Sequence, residues 1–552
     1  MAGQLIAETT SSVWGAEGAS GKGVLASGET RVAGWAFMNQ RIITGGTLLK
    51  AVAPHTESFE RFRILTGSLN GHFALIVYTG TEIWLACSLS RNYPLFYARK
   101  EQSFWAGDSP LVYLRREGSL PPDGEAHLYF LQFGVTPAAR TLARGLRQVR
   151  PGETVRLTQE GTEKHYFSPD APANPACQEK KPSSGAITGR KSKADMPLPS
   201  AEEDTAALIR RVFARYVPYL TQHKILLPLT GGYDSRLLAC LLKEAGHKEV
   251  LCATWGRPGN QESAAARSLA EKLGFPHLNV DYTHELISRT FQDPRFGEYI
   301  DFAGHLSSMP FLQDFPAIRH LLECGAISPG TRVLPGHPGD FLRGSHFYSG
   351  LPEENPDRLF KAVVTRFGTS YPMGRTAMKN VAATFRQEFP FSPGSATETF
   401  RNWDLEERQC KLITNSVMAF EFFGLQPVMP LYDPELIRHF GALPFSLQLG
   451  GLHYFKTLNS RFFRKYKCEL PLPGNNHHSH PWRPFREWLI RTAPHRFKQL
   501  WYPVCDDVAY REMTAVLMRQ NPERRYRHPD KNHFYNCYLT QWYLFRAEEQ
   551  IK

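Results

Sequence analysis

The residues best suited to chemistry form the stretch LTGGYDSR at positions 229–236, between an apolar run and a helical pattern. Its two glycines let the backbone approach a ligand closely, and the hydroxyl groups of Thr230 and Ser235 offer hydrogen bonds. Free N–H groups at the start of the following helix favour an anion. No G-K-[ST] follows and no G-x-G-x-x-G is present, which excludes a Walker A loop and a dinucleotide fingerprint. The pattern predicts a phosphorylated ligand and a different nucleotide chemistry.

Two acidic residues are candidates for holding a metal ion at this ligand. Asp234 places a carboxylate beside the expected phosphates, and Mg²⁺ between the like charges relieves their repulsion. Asp340 lies in LPGHPGDFLRGSH, again after a predicted strand and inside a glycine-rich turn. Loops at the carboxyl ends of parallel strands share one rim, so we expect the two side chains to face each other. Either aspartate alone is equally well explained as a helix cap.

The elements around these loops alternate between helix and strand, in the order of a doubly wound parallel sheet. A strand, TRVLPG, follows a long helical excursion, and the chain from Asn355 onward has helical periodicity and many aromatic residues. The alternating segments are DTAALIRRVFARYVPYL, KILLPL, YDSRLLACLLKEAG, EVLCATWG, QESAAARSLAEKLG and HLNVDYT.

The first part of the chain has a different texture. Residues 34–166 contain short alternating strands separated by turn residues, which predicts a mostly β module. Residues 168–203 are rich in Pro, Ser, Ala and Lys and predict a mobile linker. We therefore predict a first domain at 1–167, a linker at 168–203 and a second domain at 204–552.

Composition excludes several classes of protein. The 552 residues, 42% of them hydrophobic, suffice for at least two packed domains. Nine scattered cysteines without a C-x-x-C pair argue against a disulfide framework or structural zinc, and the histidines of HHSHPW at 477–482 do not predict a metal site. The lack of a long apolar run predicts a cytoplasmic protein without membrane insertion. The net charge of +12 suits nucleotide phosphates, whereas no nucleic-acid-binding motif is present.

The sequence resembles the asparagine synthetase and β-lactam synthetase family. LTGGYDSR is similar to its S-G-G-x-D-S loop, GHPGDFLRG to its G-[ED]-G-x-D-E-x-x-G-G motif, and GLQPVMPLYD to its G-L-E-x-R-x-P-F-L-D stretch. LNGHFALIVY and FLQFGVTPAARTLARG follow its first domain. The resemblance implies an α/β protein. An N-terminal, mostly β, glutaminase-like (Ntn-hydrolase-like, α+β) domain would precede a C-terminal doubly wound PP-loop ATP pyrophosphatase domain with a helical extension.

The resemblance also implies a reaction and its residues. A carboxylate would attack the α-phosphorus of ATP, release pyrophosphate and form an acyl-adenylate, which ammonia or an amine would convert to an amide. ATP and Mg²⁺ are the implied cofactors, with Asp234 and Asp340 as metal ligands. The implied nucleotide-binding residues are Leu229, Thr230, Gly231, Gly232, Tyr233, Asp234, Ser235, Pro335 and Gly336. The catalytic candidates are His337, Lys456, Lys467 and Arg236; Lys465 is a further candidate for the family's late lysine, and Arg343 for a pyrophosphate contact.

The sequence departs from the family pattern at several positions. Glutamine-using members begin Met-Cys, whereas this sequence begins Met1-Ala2, so we do not expect glutamine hydrolysis. His337 stands where the family has an acidic residue, Phe341 replaces the second acidic residue of the D-E pair, and Gln426 replaces the glutamate of G-L-E. A histidine at position 337 suits a general base toward an amine, or a loop residue with a satisfied hydrogen bond.

Three hypotheses follow from these features. The first is an ATP-dependent amide ligase that acts on a small, sugar-linked or peptide carboxylate with ammonia or an amine as the nitrogen donor. The second is an intramolecular amide synthetase, such as a lasso-peptide cyclase or a β-lactam synthetase. The third is a non-catalytic ATP-binding scaffold. A homodimer is compatible with the sequence, which does not fix the oligomeric state.

Overall fold

The computed structural model of the chain describes residues 4–10, 14–15, 22–166, 198–391, 396–472, 506–520, 525–527 and 534–552. Most of the predicted linker and the histidine cluster at 477–482 lie outside these residues. A helix begins at Leu198, before the predicted start of the second domain at residue 204. In the described part of the chain, no helix is long and apolar enough to cross a bilayer.

The first module is built from two β-sheets. Its described strands are β1 Leu5–Thr9, β2 Trp14–Gly15, β3 Gly23–Val24, β4 Glu29–Met38, β5 Arg41–Thr44, β6 Gly71–Tyr78, β7 Ile83–Cys87, β8 Phe96–Lys100, β9 Ser103–Gly107, β10 Leu146–Gln148, β11 Glu153–Leu157 and β12 Thr162–Tyr166. One sheet has the order β10-β8-β9-β1-β3, and the other has the order β12-β11-β7-β6-β4-β2 with β5 paired to β4. The helices are α1 Gly45–Val52, α2 Phe59–Ser68, α3 Pro110–Glu117 and α4 Gly124–Phe133.

The sequence of β6 shows why these layers form. Its apolar run FALIV is buried throughout, because both faces of the strand are covered. Phe73 and Leu75 pack on the side of α1 and α2, whereas Ala74 and Ile76 face the second sheet. Helices thus cover one sheet and the two sheets pack against each other, which confirms the α+β, Ntn-hydrolase-like prediction for this module.

The second module contains a parallel sheet in the order β15-β14-β13-β16-β17. The strands are β13 Ile225–Pro228, β14 Val250–Gly256, β15 His277–Asp281, β16 Arg332–Val333 and β17 Gln426–Pro427. The chain runs outward from β13 through β14 to β15, and then returns to the other side of β13 as β16. This reversal between β13 and β16 is a topological switch point, where open α/β sheets bind ligands. The predicted doubly wound sheet is therefore confirmed.

The helices of the second module surround this sheet and form the predicted helical extension. Within the described ranges they are α5 Leu198–Leu220, α6 Tyr233–Glu244, α7 Gln261–Leu273, α8 His284–Gln292, α9 Pro294–Gly304, α10 Phe315–Glu323, α11 Gly339–Leu342, α12 Pro356–Phe367, α13 Arg375–Glu388, α14 Ala396–Trp403, α15 Met418–Phe422, α16 Pro434–Gly441, α17 Phe445–Gln448, α18 Leu452–Leu458, α19 Tyr510–Gln520 and α20 Phe534–Ile551. Two π-helical stretches, Asp404–Ile413 and Asn459–Phe463, interrupt them.

Candidate active site

A cleft of about 430 Å³ lies at the carboxyl ends of β13, β14 and β16, over the switch point of the parallel sheet. Both predicted loops contribute to its walls. Of the residues predicted to bind nucleotide or metal, the cleft is lined by Leu229, Thr230, Gly232, Tyr233, Asp234, Ser235, Pro335, Gly336 and Asp340. The structure therefore brings together two loops that are about a hundred residues apart in the sequence.

The first loop is held in shape by hydrogen bonds among its own residues. Ser235 Oγ accepts the N–H of Thr230 at 3.2 Å, and Thr230 Oγ1 accepts the N–H of Gly232 at 3.2 Å. The N–H of Gly231 donates to Glu262 Oε2 at 2.6 Å, from the first turn of α7. The loop thus turns directly into α6, whose first turn points its N–H groups toward the cleft.

Asp234 and Asp340 both contact the guanidinium group of Arg343. Arg343 Nη1 lies 3.5 Å from Asp234 Oδ2, and Arg343 Nη2 forms an ion pair with Asp340 Oδ1. The hydroxyl of Tyr454 donates to Asp234 Oδ1 at 2.8 Å. Carboxylates from two separate loops therefore converge on a position where positive charge is stabilised.

The glycines of the second loop make this convergence possible. A Cβ at Gly336 would lie 3.1 Å from Asp234 Cβ and 3.2 Å from the backbone nitrogen of Ser235. A Cβ at Gly339 would overlap the Asp234 carboxyl. The second loop therefore packs closely against the start of α6: a Cβ at Gly336 would be tight, and one at Gly339 would have no room.

The electrostatics of Asp234 follow from this packing. Its side chain is 18% exposed, and burial raises the pKa of Asp234 to about 6; Arg343 opposes the rise and Asp340 adds to it. No group of three or more His, Cys, Asp or Glu residues able to hold a metal occurs among the described residues. Two carboxylates fit the way Mg²⁺ is bound together with substrate phosphates, which complete its octahedral shell with water.

Among the predicted catalytic residues, His337 lines the cleft. Its Nε2 lies 3.0 Å from Ser416 Oγ, and burial lowers the pKa of His337 to about 4. The imidazole is therefore neutral at pH 7, and its lowered pKa makes it a weaker base than a solvent-exposed histidine. Whether it acts as a base stays a prediction.

The other predicted catalytic residues do not line the cleft. Arg236 is buried, and its guanidinium donates to the carbonyls of Gly231 at 2.9 Å and Cys468 at 2.8 Å. Lys456 lies on α18 and is partly buried, and Lys467 is exposed after Arg464–Tyr466. In the structure Arg236 thus fixes the loop at residues 229–235 to a later segment, and the two lysines are not distinguished.

Sequence reasoning missed several residues that contact the cleft or the aspartates. Tyr454 has no signal in the sequence, because a tyrosine in a helical pattern is usually a core residue. Glu262 follows the carboxyl end of β14. It could have been predicted in the same way as Asp340, because loops at the carboxyl ends of parallel strands share one edge of the sheet. Trp255, Gln313 and Asp314 also line the cleft, on the side of β14.

The second module is similar in sequence to known proteins. The family model of asparagine synthase matches residues 208–467, which contain both loops, so the predicted resemblance is confirmed for this part of the chain. A tRNA-specific 2-thiouridylase from Synechococcus sp. strain CC9902 is 26% identical over 29% of this chain and 47% of its own length. An argininosuccinate synthase from Psychrobacter cryohalolentis is 31% identical over 14% of this chain and 21% of its own length. The chain thus spans half or less of the length of these curated relatives.

Two solved structures are weakly similar to this chain. A glutamine phosphoribosylpyrophosphate amidotransferase from B. subtilis, complexed with ADP and GMP, is 13% identical and covers 56% of this chain and 55% of its own, with a TM-score of 0.17. An allosteric regulatory enzyme of purine biosynthesis is 14% identical and covers 56% of this chain and 54% of its own, with a TM-score of 0.18.

Proposed function

We propose that this chain is an ATP-dependent carbon–nitrogen ligase of the asparagine synthetase type, which activates a carboxylate as its adenylate and passes the acyl group to ammonia or an amine. The observation that supports this proposal most strongly is the convergence of Asp234 and Asp340 on one position beside the phosphate loop. The family match over residues 208–467 supports the same reaction class.

The phosphate loop and α6 bind the triphosphate in this proposal. The N–H groups at the start of α6 and the hydroxyls of Thr230 and Ser235 hold the phosphate oxygens, as expected for anions at a helix N-terminus. Asp234 and Asp340 hold Mg²⁺, which supplies electrostatic stabilisation of the charge on the leaving pyrophosphate. Arg343 already contacts both carboxylates and is placed to turn its guanidinium to the phosphates.

The acyl acceptor is free ammonia or an amine rather than ammonia released from glutamine. Release of ammonia from glutamine needs a nucleophile such as a reactive thiol in the first module. The Cys87 thiol of this module donates to the Tyr93 carbonyl at 3.2 Å, and burial raises the pKa of Cys87 to about 12. A thiol in this state is a poor nucleophile. In the cleft, neutral His337, held by Ser416, would accept a proton from the attacking amine as a weak base, because burial lowers its pKa to about 4.

The test is carboxylate-dependent exchange of labelled pyrophosphate into ATP, measured with the purified chain and pools of small, sugar-linked and peptide carboxylates. We expect exchange with one pool, and a loss of about 100-fold in both Asp234→Asn and Asp340→Asn, because each substitution removes a ligand of the Mg²⁺ ion that would stabilise the charge on the leaving pyrophosphate.

Asp357→Asn is the matched control, since Asp357 is 80% exposed on α12 and lies outside the cleft. It should exchange at the rate of the parent chain. Mg·ATP binding without exchange by any pool would favour a non-catalytic scaffold, and exchange that survives both substitutions would refute the assigned metal ligands.

A further inference from the structure

The cleft extends to both sides of the phosphate loop, residues 229–235, and each of these two parts is called a wing. The loop follows β13, and Asp340 follows β16 on one side of it. On the other side, β14 ends in Trp255 and Gly256, and the wall there is completed by Gln313 and Asp314. Because the predicted metal pair fixes the phosphates toward β16, the wing at β14 is left for the nucleoside if the proposed function is correct.

Asp314 in this wing is a buried residue whose carboxyl does not cap the helix that it precedes. It occupies the N-cap position of α10, yet its side chain accepts no hydrogen bond from the helix. It turns instead to the cleft, where its Oδ1 accepts the indole N–H of Trp255 at 3.0 Å. A capping aspartate normally accepts an N–H from the first turn of its helix, so the usual reason for this residue type is absent here.

The charge of Asp314 is also poorly compensated. Only 5% of the residue is exposed, and no Lys, Arg or His forms an ion pair with it in the described ranges. Burial raises the pKa of Asp314 to about 7, with partial opposition from Trp255 and Gln313. A carboxylate has room for more hydrogen bonds than those of Trp255 and Gln313, so Asp314 can accept from a further donor. A ligand in the cleft is the donor that this wing has room for.

The segment that presents Asp314 is held rigidly. The hydroxyl of Tyr282 donates to the Gln313 carbonyl, the hydroxyl of Tyr510 pairs with Gln313 Oε1, and the hydroxyl of Tyr299 donates to the Phe311 carbonyl. Three tyrosines from different helices and loops therefore fix the backbone just before Asp314. Such preorganisation favours recognition, because little freedom is lost when a ligand binds.

We propose that the Asp314 carboxyl reads the nucleobase, accepting a hydrogen bond from the exocyclic amino group of adenine and rejecting a purine with a carbonyl at that position. Above the pKa of Asp314, where the group is ionised, a carbonyl oxygen would face the carboxylate oxygen, and both groups would lose a hydrogen bond in a buried site. This inference rests on the proposed function, because the phosphate end of the cleft sets the direction of the nucleotide.

The experiment compares Mg·ATP with Mg·ITP, which differ in the amino or carbonyl group at position 6 of the purine and in N1, an acceptor in ATP and a donor in ITP. Binding to the full chain is measured by calorimetry without a carboxylate substrate, at about pH 8.5, where Asp314 is ionised. We expect the parent chain to bind ATP at least about tenfold more tightly than ITP. In Asp314→Asn the amide can either accept or donate, so ITP should bind more tightly and the ratio should fall to about threefold or less.

A gain in ITP binding cannot come from a damaged fold, which would weaken both nucleotides. Trp255→Phe removes the N–H that orients the carboxyl and should also lower the ratio, by about threefold. Asp404→Asn is the control for the loss of a buried carboxyl elsewhere, since Asp404 pairs with His346 away from the cleft, and its ratio should equal that of the parent chain.

The outcomes separate this inference from the proposed function. Tight ATP binding with an unchanged ratio in both Asp314→Asn and Trp255→Phe overturns the assignment of Asp314 and leaves the ligase proposal standing. An Asp314→Asn variant that keeps the ratio but loses affinity for an amine would place the amine in this wing, which also overturns the assignment. A parent chain that binds neither nucleotide overturns both.

Discussion

Gly339 decides where the Asp234 carboxyl can lie, although it has no functional group of its own. The backbone at this position passes so close to Asp234 that a methyl group would overlap the carboxyl carbon and oxygens. Tyr454 holds the same carboxyl from the other side, with a hydrogen bond of 2.8 Å. The metal-binding geometry that we propose therefore depends on the absence of one Cβ.

We predict that Gly339→Ala displaces the Asp234 carboxyl and weakens Mg·ATP binding by about 10-fold to 100-fold, as loss of support for a metal ligand typically does. Calorimetry measures the affinity, and circular dichroism checks the fold. Gly350→Ala is the matched control, because a Cβ there meets no atom within 4 Å, and its affinity should equal that of the parent chain. Equal affinity in Gly339→Ala would show that Asp234 is not the ligand.

At the scale of elements, α7 reaches across to the phosphate loop. Glu262, in its first turn, accepts the Gly231 N–H at 2.6 Å and also lines the cleft. This carboxylate shapes the loop, but it places a negative charge beside the position that we assign to pyrophosphate. The helix thus stabilises the loop, while its carboxylate disfavours an anion there.

We predict that Glu262→Gln keeps the acceptor for Gly231, removes the charge and raises the affinity for Mg·pyrophosphate about fivefold, or ~1 kcal/mol. The gain should shrink at high salt, since exposed charges are screened. Competition with labelled ATP measures the affinity. Glu271→Gln, on the same helix but outside the cleft, should have no effect. Weaker pyrophosphate binding in Glu262→Gln would mean that the carboxylate is needed to order the loop.

At the scale of the whole molecule, the two modules are joined through a fully buried ion pair. Lys411 Nζ lies 3.0 Å from Glu407 Oε2 and donates to the carbonyls of Thr136 at 2.8 Å and Ala138 at 2.7 Å. Glu407 Oε1 accepts the N–H of Ala138 at 2.7 Å. Burial lowers the pKa of Lys411 and raises that of Glu407, and the attraction between the two opposes both shifts.

We predict that Lys411→Met lowers the free energy of unfolding by about 3–5 kcal/mol, because it removes the partner of a buried carboxyl and the two hydrogen bonds to the first module. The double variant Lys411→Met/Glu407→Gln should recover part of this loss. Arg61→Met is the matched control, since Arg61 and Glu57 have the same spacing on an exposed surface and should change stability by less than about 1 kcal/mol. Denaturant unfolding measures all three. A loss in Lys411→Met as small as that of the control would mean that water reaches the pair.

Prediction from the sequence succeeded where a local pattern has one structural solution. The apolar run before the first loop and the glycine-rich turns predicted β13, α6 and a parallel sheet, and the parallel-sheet rim argument placed Asp234 and Asp340 together. The short helices α1 to α4 were not predicted, because segments of about ten residues have weak periodicity beside strands. The two-residue strand β17 is too short to have a pattern at all.

The sequence by itself determined the type of sheet, the position of the phosphate loop and the residue types that meet there, because hydrophobic periodicity and glycine placement are local properties of the chain. Only the tertiary structure decided that Tyr454 donates a hydrogen bond to Asp234 and that Arg236 donates one to the Cys468 carbonyl. It also decided that the Asp314 side chain lines the cleft and does not cap its helix. Each of these contacts joins elements far apart in sequence. Their side-chain directions depend on how whole helices pack, which no local pattern records.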